Sequence, residues 1–148
     1  MSSRGDVSYA VTPLVRDSCL CLHVQRAARA VARRFDDAFR PLGLTGGQFS
    51  LLMALNRPEP PTMGQVAAVL AMDRTTLTAN LKPLARRGLV KVMVDSNDKR
   101  SRRLALTPAG RRLLARALPV WRETQGALQR LVASADLEAL LASLRALA

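Results

Sequence analysis

Between Thr62 and Arg103 the chain sets down a short capped helical pattern, a two-residue corner, a second and more basic capped helical pattern, and a basic hairpin. Few folds accept that order. Thr62 and Gln65 have the spacing of a capping box, in which each side chain bonds the other's backbone amide, and Val66, Ala67, Val69 and Leu70 continue it for about two turns. Ala71 and Met72 leave room only for a sharp corner before Asp73, the next N-cap. From there Leu77, Leu81, Leu84 and Ala85 form an apolar stripe that Gly88 stops. Pro83 interrupts this helix late, removing the amide bond to Ala79, and the first turns are untouched by it.

Leu89–Val94 and Arg103–Leu106 read as two short strands, joined by the loop Asp95–Arg102. A two-stranded ribbon is marginal alone, so its apolar side, Leu89 or Val90 with Leu104 and Leu106, has to rest on the helices.

The flanking segments are helical. Leu20, Val24, Val31, Phe35 and Phe39 recur at helical spacing and predict one long helix from Leu14 to Arg40, ended by Pro41 and Gly43, with Arg26, Arg29, Arg33 and Arg34 on its other face. Thr45 and Gln48 repeat the capping box before Phe49–Leu55, and the three prolines between Asn56 and Pro61 mark a connection. Thr107-Pro108 opens another long helix, with a kink expected near Pro119, and Ser134 is the expected cap of a last helix carrying Leu137, Leu140, Leu141, Leu144 and Leu147. The chain therefore divides into a loose opening (1–12), a helical region made of 13–44 and 107–148, and a central unit (45–106).

Composition supports a mostly α fold with one core: the chain has 148 residues, 49% hydrophobic but only 3% aromatic, with leucine and alanine dominant. Twenty-three basic residues against eleven acidic ones give +12, and nine Lys/Arg against three Asp place +6 of this between Asp73 and Arg103. Such a segment is built to meet a polyanion, and nucleic acid is the first to consider. No run approaches the roughly 18 apolar residues of a membrane span, and the N-terminus lacks the apolar block of a secretory leader, so a cytoplasmic protein is expected. One histidine, two cysteines and no Gly-x-Ser-x-Gly point to no nucleophile with a base, and no acidic cluster suggests a metal or other cofactor. An enzyme is not expected. Placed in a helix, Cys19 and Cys21 would point about 200° apart and could not pair comfortably.

Helix, corner, helix and hairpin make the plan of a winged helix-turn-helix, whose second helix enters the major groove with its N-terminal residues on base edges. That helix would present Arg74, Thr75, Thr76, Thr78 and Asn80, then Lys82. Arginine reaches guanine or phosphate, threonine touches a thymine methyl, and asparagine pairs with adenine or meets the backbone. Lys99, Arg100, Arg102 and Arg103 of the hairpin would reach the sugar-phosphate edge or the minor groove, and Asp98 is expected to hold the Arg100 guanidinium in a fixed direction.

The combination Leu44-Thr45-x-x-Gln48-Phe49, Thr62-x-x-Gln65-Val66-Ala67, Asp73-Arg74-Thr75-Thr76-Leu77-Thr78, Leu84-x-x-x-Gly88-Leu89-Val90, Asp98-Lys99-Arg100 and Leu106-Thr107-x-x-Gly110 resembles the MarR family of transcription regulators over about Leu20 to Leu118. The resemblance implies a homodimer whose terminal helices interlock, two winged units on a near-palindromic double-stranded DNA operator, and commonly a repressor released by a small anionic or phenolic effector or by oxidation. It also implies an effector cavity between the first helix, the Thr45 helix and the start of the helix after Thr107, with Arg or His as counter-charge. Organic-peroxide sensors of the family carry a reactive cysteine on the first helix. Cys21, 24 residues before Thr45, has a similar spacing and is a candidate redox sensor, although Gln25, Phe35 and Gly46 stand where the tyrosines that hold such a thiolate are expected.

The competing class is a non-specific architectural DNA-binding protein, which the charge alone would satisfy. Preference for one operator separates the two.

Overall fold

The computed structural model describes residues 5–132 and 136–148. In chain order the elements are α1 (Val11–Ser18), α2 (Leu20–Phe39), a 3-10 turn (Arg40–Leu42), α3 (Gly46–Ala54), α4 (Met63–Val69), α5 (Arg74–Arg86), β1 (Val90–Val94), β2 (Arg102–Leu106), α6 (Pro108–Leu131) and α7 (Leu137–Arg145). This is the mostly helical, winged arrangement expected from the sequence.

Helix starts follow local chemistry. Both capping boxes form, with Gln48 and Gln65 returning bonds to the amides of Thr45 and Thr62 at 3.1 and 3.0 Å. Thr107 caps α6 by accepting from the Gly110 amide at 3.0 Å, and its hydroxyl donates to the Gly88 carbonyl at 2.6 Å. The expected cap at Ser134 lies outside the described residues, while the described N-cap of α7 is Asp136, which accepts from Glu138 and Ala139. The helices containing Pro83 and Pro119 both continue past them. Pro83 and Ala79 are exposed, so water can satisfy the carbonyl that the proline leaves without an amide.

One long helix from Leu14 to Arg40 is not what forms. Its first part starts earlier, at Val11, and the helix breaks at Cys19, whose ψ of 109° is extended. Cys19 ends one helix and begins the next: its amide donates to the Val15 carbonyl, and its sulfur accepts from the Leu22 amide at 3.5 Å. The Ser18 hydroxyl donates to the Leu14 carbonyl at 2.5 Å. Side chains here compete for backbone groups, a local effect to which apolar periodicity is blind. The helical angle that would separate Cys19 from Cys21 therefore does not apply.

The core lies in the winged unit and the adjoining parts of α2 and α6. Phe39, Leu51, Leu52, Val66, Leu77, Leu84 and Leu104 are fully buried, each contributing about 1.5–3 kcal/mol through the surface removed from water. An aromatic ladder crosses three helices, with ring centroids 5.9 Å apart for Phe35–Phe39, 4.8 Å for Phe39–Phe49 and 6.5 Å for Phe49–Trp121. The Asp36 carboxylate, on α2, accepts from the Gly46 amide at 2.8 Å and so anchors the start of α3. At the outer end, α1 and α7 bury no residue, and Leu14, Leu20, Leu131 and Leu147 are exposed. Among the described residues no helix is long and apolar enough to cross a membrane.

The ribbon pairs antiparallel, with Val90 opposite Leu106 and Val94 opposite Arg102. Leu89, Val90, Leu104 and Leu106 are buried beneath it, as its apolar side requires. Two backbone positions are demanding. A Cβ on Gly110 would stand 2.2 Å from the Leu89 carbonyl oxygen, because the first turn of α6 lies directly against the chain entering β1. Ala71, at the corner between α4 and α5, has a φ of 48°, the left-handed region that side chains disfavour.

Gly110→Ala is expected to destabilise the fold by about 3 kcal/mol, the upper part of the range for overpacking, as measured by urea denaturation followed through Trp121 fluorescence. Ala71→Gly should act in the opposite direction, raising stability by roughly 1 kcal/mol in the same assay, since relief of the left-handed strain exceeds the entropy that glycine adds to the unfolded chain.

Candidate nucleic-acid interface

Helix α5 is seated by one face and open on the other. Leu77, Leu81 and Leu84 are buried, and Arg74, Thr75, Thr76, Thr78, Asn80 and Lys82 are all exposed. Its start is fixed by Asp73, whose two carboxylate oxygens accept from the Thr76 amide at 2.7 Å and the Thr76 hydroxyl at 2.9 Å. These bonds favour the ionised form, so the Asp73 carboxyl sits below the usual carboxylate range.

The exposed face divides by what each side chain has left to offer. The Thr76 hydroxyl proton goes to Asp73, and that of Thr78 to the Arg74 carbonyl at 2.8 Å. Both threonines therefore present a methyl group and acceptor lone pairs. The Asn80 amide nitrogen leans on the Met72 sulfur at 3.5 Å. Arg74, Thr75 and Lys82 have no side-chain hydrogen bond or ion pair among the described residues and keep their full donor sets. Arg74 extends over the start of α4, where a Cβ on Gly64 would come 3.4 Å from its guanidinium.

In the hairpin the four basic residues have unlike situations. Lys99 and Arg100 are exposed at the tip, with side chains unpaired among the described residues. The Arg102 guanidinium folds back onto the carbonyls of Lys99 and Ser101, at 3.0 and 3.2 Å. Arg103 turns inward: its Nε lies 3.2 Å from Asp95, and its terminal nitrogen donates to the Pro60 carbonyl at 2.7 Å.

Asp98 does not hold the Arg100 guanidinium. Its carboxylate accepts from the Arg100 backbone amide at 3.0 Å, and its carbonyl from the Ser101 amide at 2.9 Å, so it shapes the turn at the tip. A side chain two residues away in a tight turn meets the backbone before it can meet the far end of an arginine. The carboxylate paired with an arginine in the hairpin is Asp95, which sequence reasoning passed over. It is only 7% exposed, and the Asn97 amide and then Arg103 hold its carboxyl below the ordinary range. The strand register was the signal that could have found it, since pairing Met93 with Arg103 brings that arginine to the end of β1.

Cys21 is exposed, and its sulfur accepts from the Gln25 side-chain amide at 3.3 Å, while the His23 ring nitrogen meets the Cys19 carbonyl at 2.8 Å. No group of three potential metal ligands occurs among the described residues. A groove of about 300 Å³ lies between α2, α3 and α6, lined by Val31, Phe35, Gly46, Phe49, Ser50 and Trp121. A second, of about 500 Å³, runs between α3, α4 and α6 past Met53, Val69, Leu70 and Leu118. The first occupies the place expected for an effector cavity, but among the described residues neither is lined by an arginine or histidine.

A family model described as MarR family matches residues 42–101, the span that holds α3 to the hairpin tip. The chain is similar to the solved M. tuberculosis transcriptional regulator MosR in complex with DNA, at 39% identity, covering 88% of this chain and 93% of that one with a TM-score of 0.76. It is also similar to the transcriptional repressor CouR bound to a 23-mer DNA duplex, at 30% identity over 90% and 94% of the two chains, with a TM-score of 0.79. Among curated relatives, the HTH-type transcriptional regulator TtmR of Methylorubrum extorquens is 34% identical over 68% of this chain and 52% of the relative. The matches to curated relatives span between 41% and 62% of those proteins' lengths. With these relatives, the two capped helices and the hairpin, the chain belongs to the MarR family of winged helix-turn-helix transcriptional regulators.

Proposed function

We propose that this chain is a sequence-specific double-stranded DNA-binding regulator that acts as a homodimer on a near-palindromic operator, represses transcription in the cytoplasm and is released by a small ligand or by oxidation. The observation that carries the reading is the division of α5 into a buried leucine face and an exposed face of Arg74, Thr75, Thr76 and Thr78, with unpaired Lys99 and Arg100 on the neighbouring wing. An α-helix fits the major groove, and the start of α5 carries the groups that read base edges. Lys99 and Arg100 then serve as sugar-phosphate or minor-groove contacts.

Dimerisation is supported by the apolar surface that one protomer leaves exposed on α1, the start of α2, the end of α6 and α7. A two-fold axis through those helices would bury that surface and set two α5 helices about one DNA turn apart. Repression is supported by the likeness to the transcriptional repressor CouR, at 30% identity. For the effector, the groove between α2, α3 and α6 favours an uncharged or phenolic molecule over an anion, since among the described residues Ser50 lines it and no cationic side chain does.

Selection of bound sequences from a random duplex pool tests the reading. The expected product is an inverted repeat bound at least about 10³-fold more tightly than random duplex, whereas an architectural protein would show almost no preference. Lys99→Ala/Arg100→Ala should weaken all sequences alike and lower the salt slope of binding by about two, roughly one per lost phosphate contact. An unchanged slope removes the wing from the interface. For oxidation, peroxide titration of the DNA complex should release wild type but not Cys21→Ser, and equal release of both excludes Cys21 as the sensor.

A further inference from the structure

The base of the wing is tied to the helix-turn-helix by backbone pairing and by the side chain of Arg103. Arg103 stands in β2 and its guanidinium spans two segments, donating to the Pro60 carbonyl at 2.7 Å while its Nε faces Asp95 at 3.2 Å. Backbone contacts run beside it: the Leu104 amide donates to the Pro61 carbonyl at 2.9 Å, and Arg103 forms an isolated antiparallel bridge with Thr62. Thr62 is the N-cap of α4, the helix that braces α5. Asp95 opens the wing loop, and its amide donates to the Ser101 carbonyl at 3.1 Å, closing that loop. The fork of Arg103 therefore fastens the loop bearing Lys99 and Arg100 to the connection that starts the DNA-reading pair of helices.

We propose that Arg103 is a positioning residue for DNA binding: its paired grip on Asp95 and Pro60 sets the wing's pitch against α4 and α5, so that Lys99 and Arg100 reach the duplex while Arg103 itself does not touch it. The proposal rests on the reading of Lys99 and Arg100 as backbone contacts. Three observations carry it. The side chain is two-thirds buried and already has two partners, unlike the free cations at the tip. Asp95 is a buried polar residue at the base of the wing, and a carboxylate there that loses its cation is left unpaired, so the loop would rearrange to expose it. A planar guanidinium can donate to a carboxylate and a carbonyl in two fixed directions at once, which the single ammonium of lysine cannot reproduce.

The test is a double-mutant cycle on the full chain, read as affinity for its selected operator by fluorescence anisotropy at several salt concentrations, with circular dichroism melts fixing a temperature at which every variant is folded. Arg103→Met, Arg103→Lys and Asp95→Asn should each weaken binding about tenfold in the otherwise intact protein. Each should have less than about a twofold effect, and no effect on the salt slope, in a Lys99→Ala/Arg100→Ala background, because the residues act through one another. Should Arg103→Met fail to fold, Arg103→Lys and Asp95→Asn complete the cycle. The proposal is overturned if Arg103→Lys keeps full affinity, or if Arg103→Met still lowers the slope by about one without the tip cations, since Arg103 would then touch phosphate itself. It is equally overturned if the variants melt earlier yet bind as wild type does. Failure of the underlying reading looks different: wild type prefers no duplex, or the tip substitutions alone change neither affinity nor slope.

Discussion

Everything that α5 can present to a partner depends on three leucines that it hides. Leu77, Leu81 and Leu84 fix the helix's rotation about its axis, and a helix of 13 residues has no other means of choosing which side faces out. Their seat lies in the core cluster to which α4 and β1 contribute, where Val66 and Val90 are buried. The ribbon in turn is held by the packing of Gly110 on the Leu89 carbonyl, which lets α6 leave the core in the direction it does. The exposed polar face is thus determined from inside.

The distribution of charge has a similar logic. Nine basic residues between Asp73 and Arg103 look equivalent as a composition, but the fold gives them different work. Arg87 donates to the Gly43 carbonyl at 2.5 Å, tying the end of α5 to the corner after α2, and Arg103 fastens the wing. Arg74, Lys82, Lys99 and Arg100 have no side-chain partner among the described residues. Counting cations therefore overstates the number available to phosphates, and the measured salt slope is the quantity that reports the free ones.

Much of this was legible in the residues themselves. Thr62 with Gln65, Thr45 with Gln48, Asp73 and Thr107 are helix starts whose chemistry is complete within four residues, and each forms as read. The leucine stripe of α5 is equally local. What escaped was decided either by competition or by distance. The first helix breaks at Cys19, whose sulfur then caps the next helix on the Leu22 amide, a local choice that apolar spacing does not encode. The Asp95–Arg103 pair joins residues eight apart through a register that only the formed ribbon defines, whereas the nearer Asp98 is captured by its own turn. A groove does lie between α2, α3 and α6, where an effector cavity is expected, but among the described residues its walls lack the expected arginine or histidine, because lining depends on how those helices rotate against one another.

The two grooves beside the aromatic ladder are not independent rooms. Phe49, Ser50 and Trp121 line both, and the rings of Phe49 and Trp121 lie nearly parallel, at 17°, so that one layer of side chains is the partition. Close-packed interiors have little slack, so a molecule that pushes this partition aside takes its volume from the groove beyond. A molecule large enough to displace Trp121 from one groove would do so at the other's expense, and any coupling between two occupants would be negative and reciprocal. The size of either groove is thereby set by the position of one shared aromatic layer.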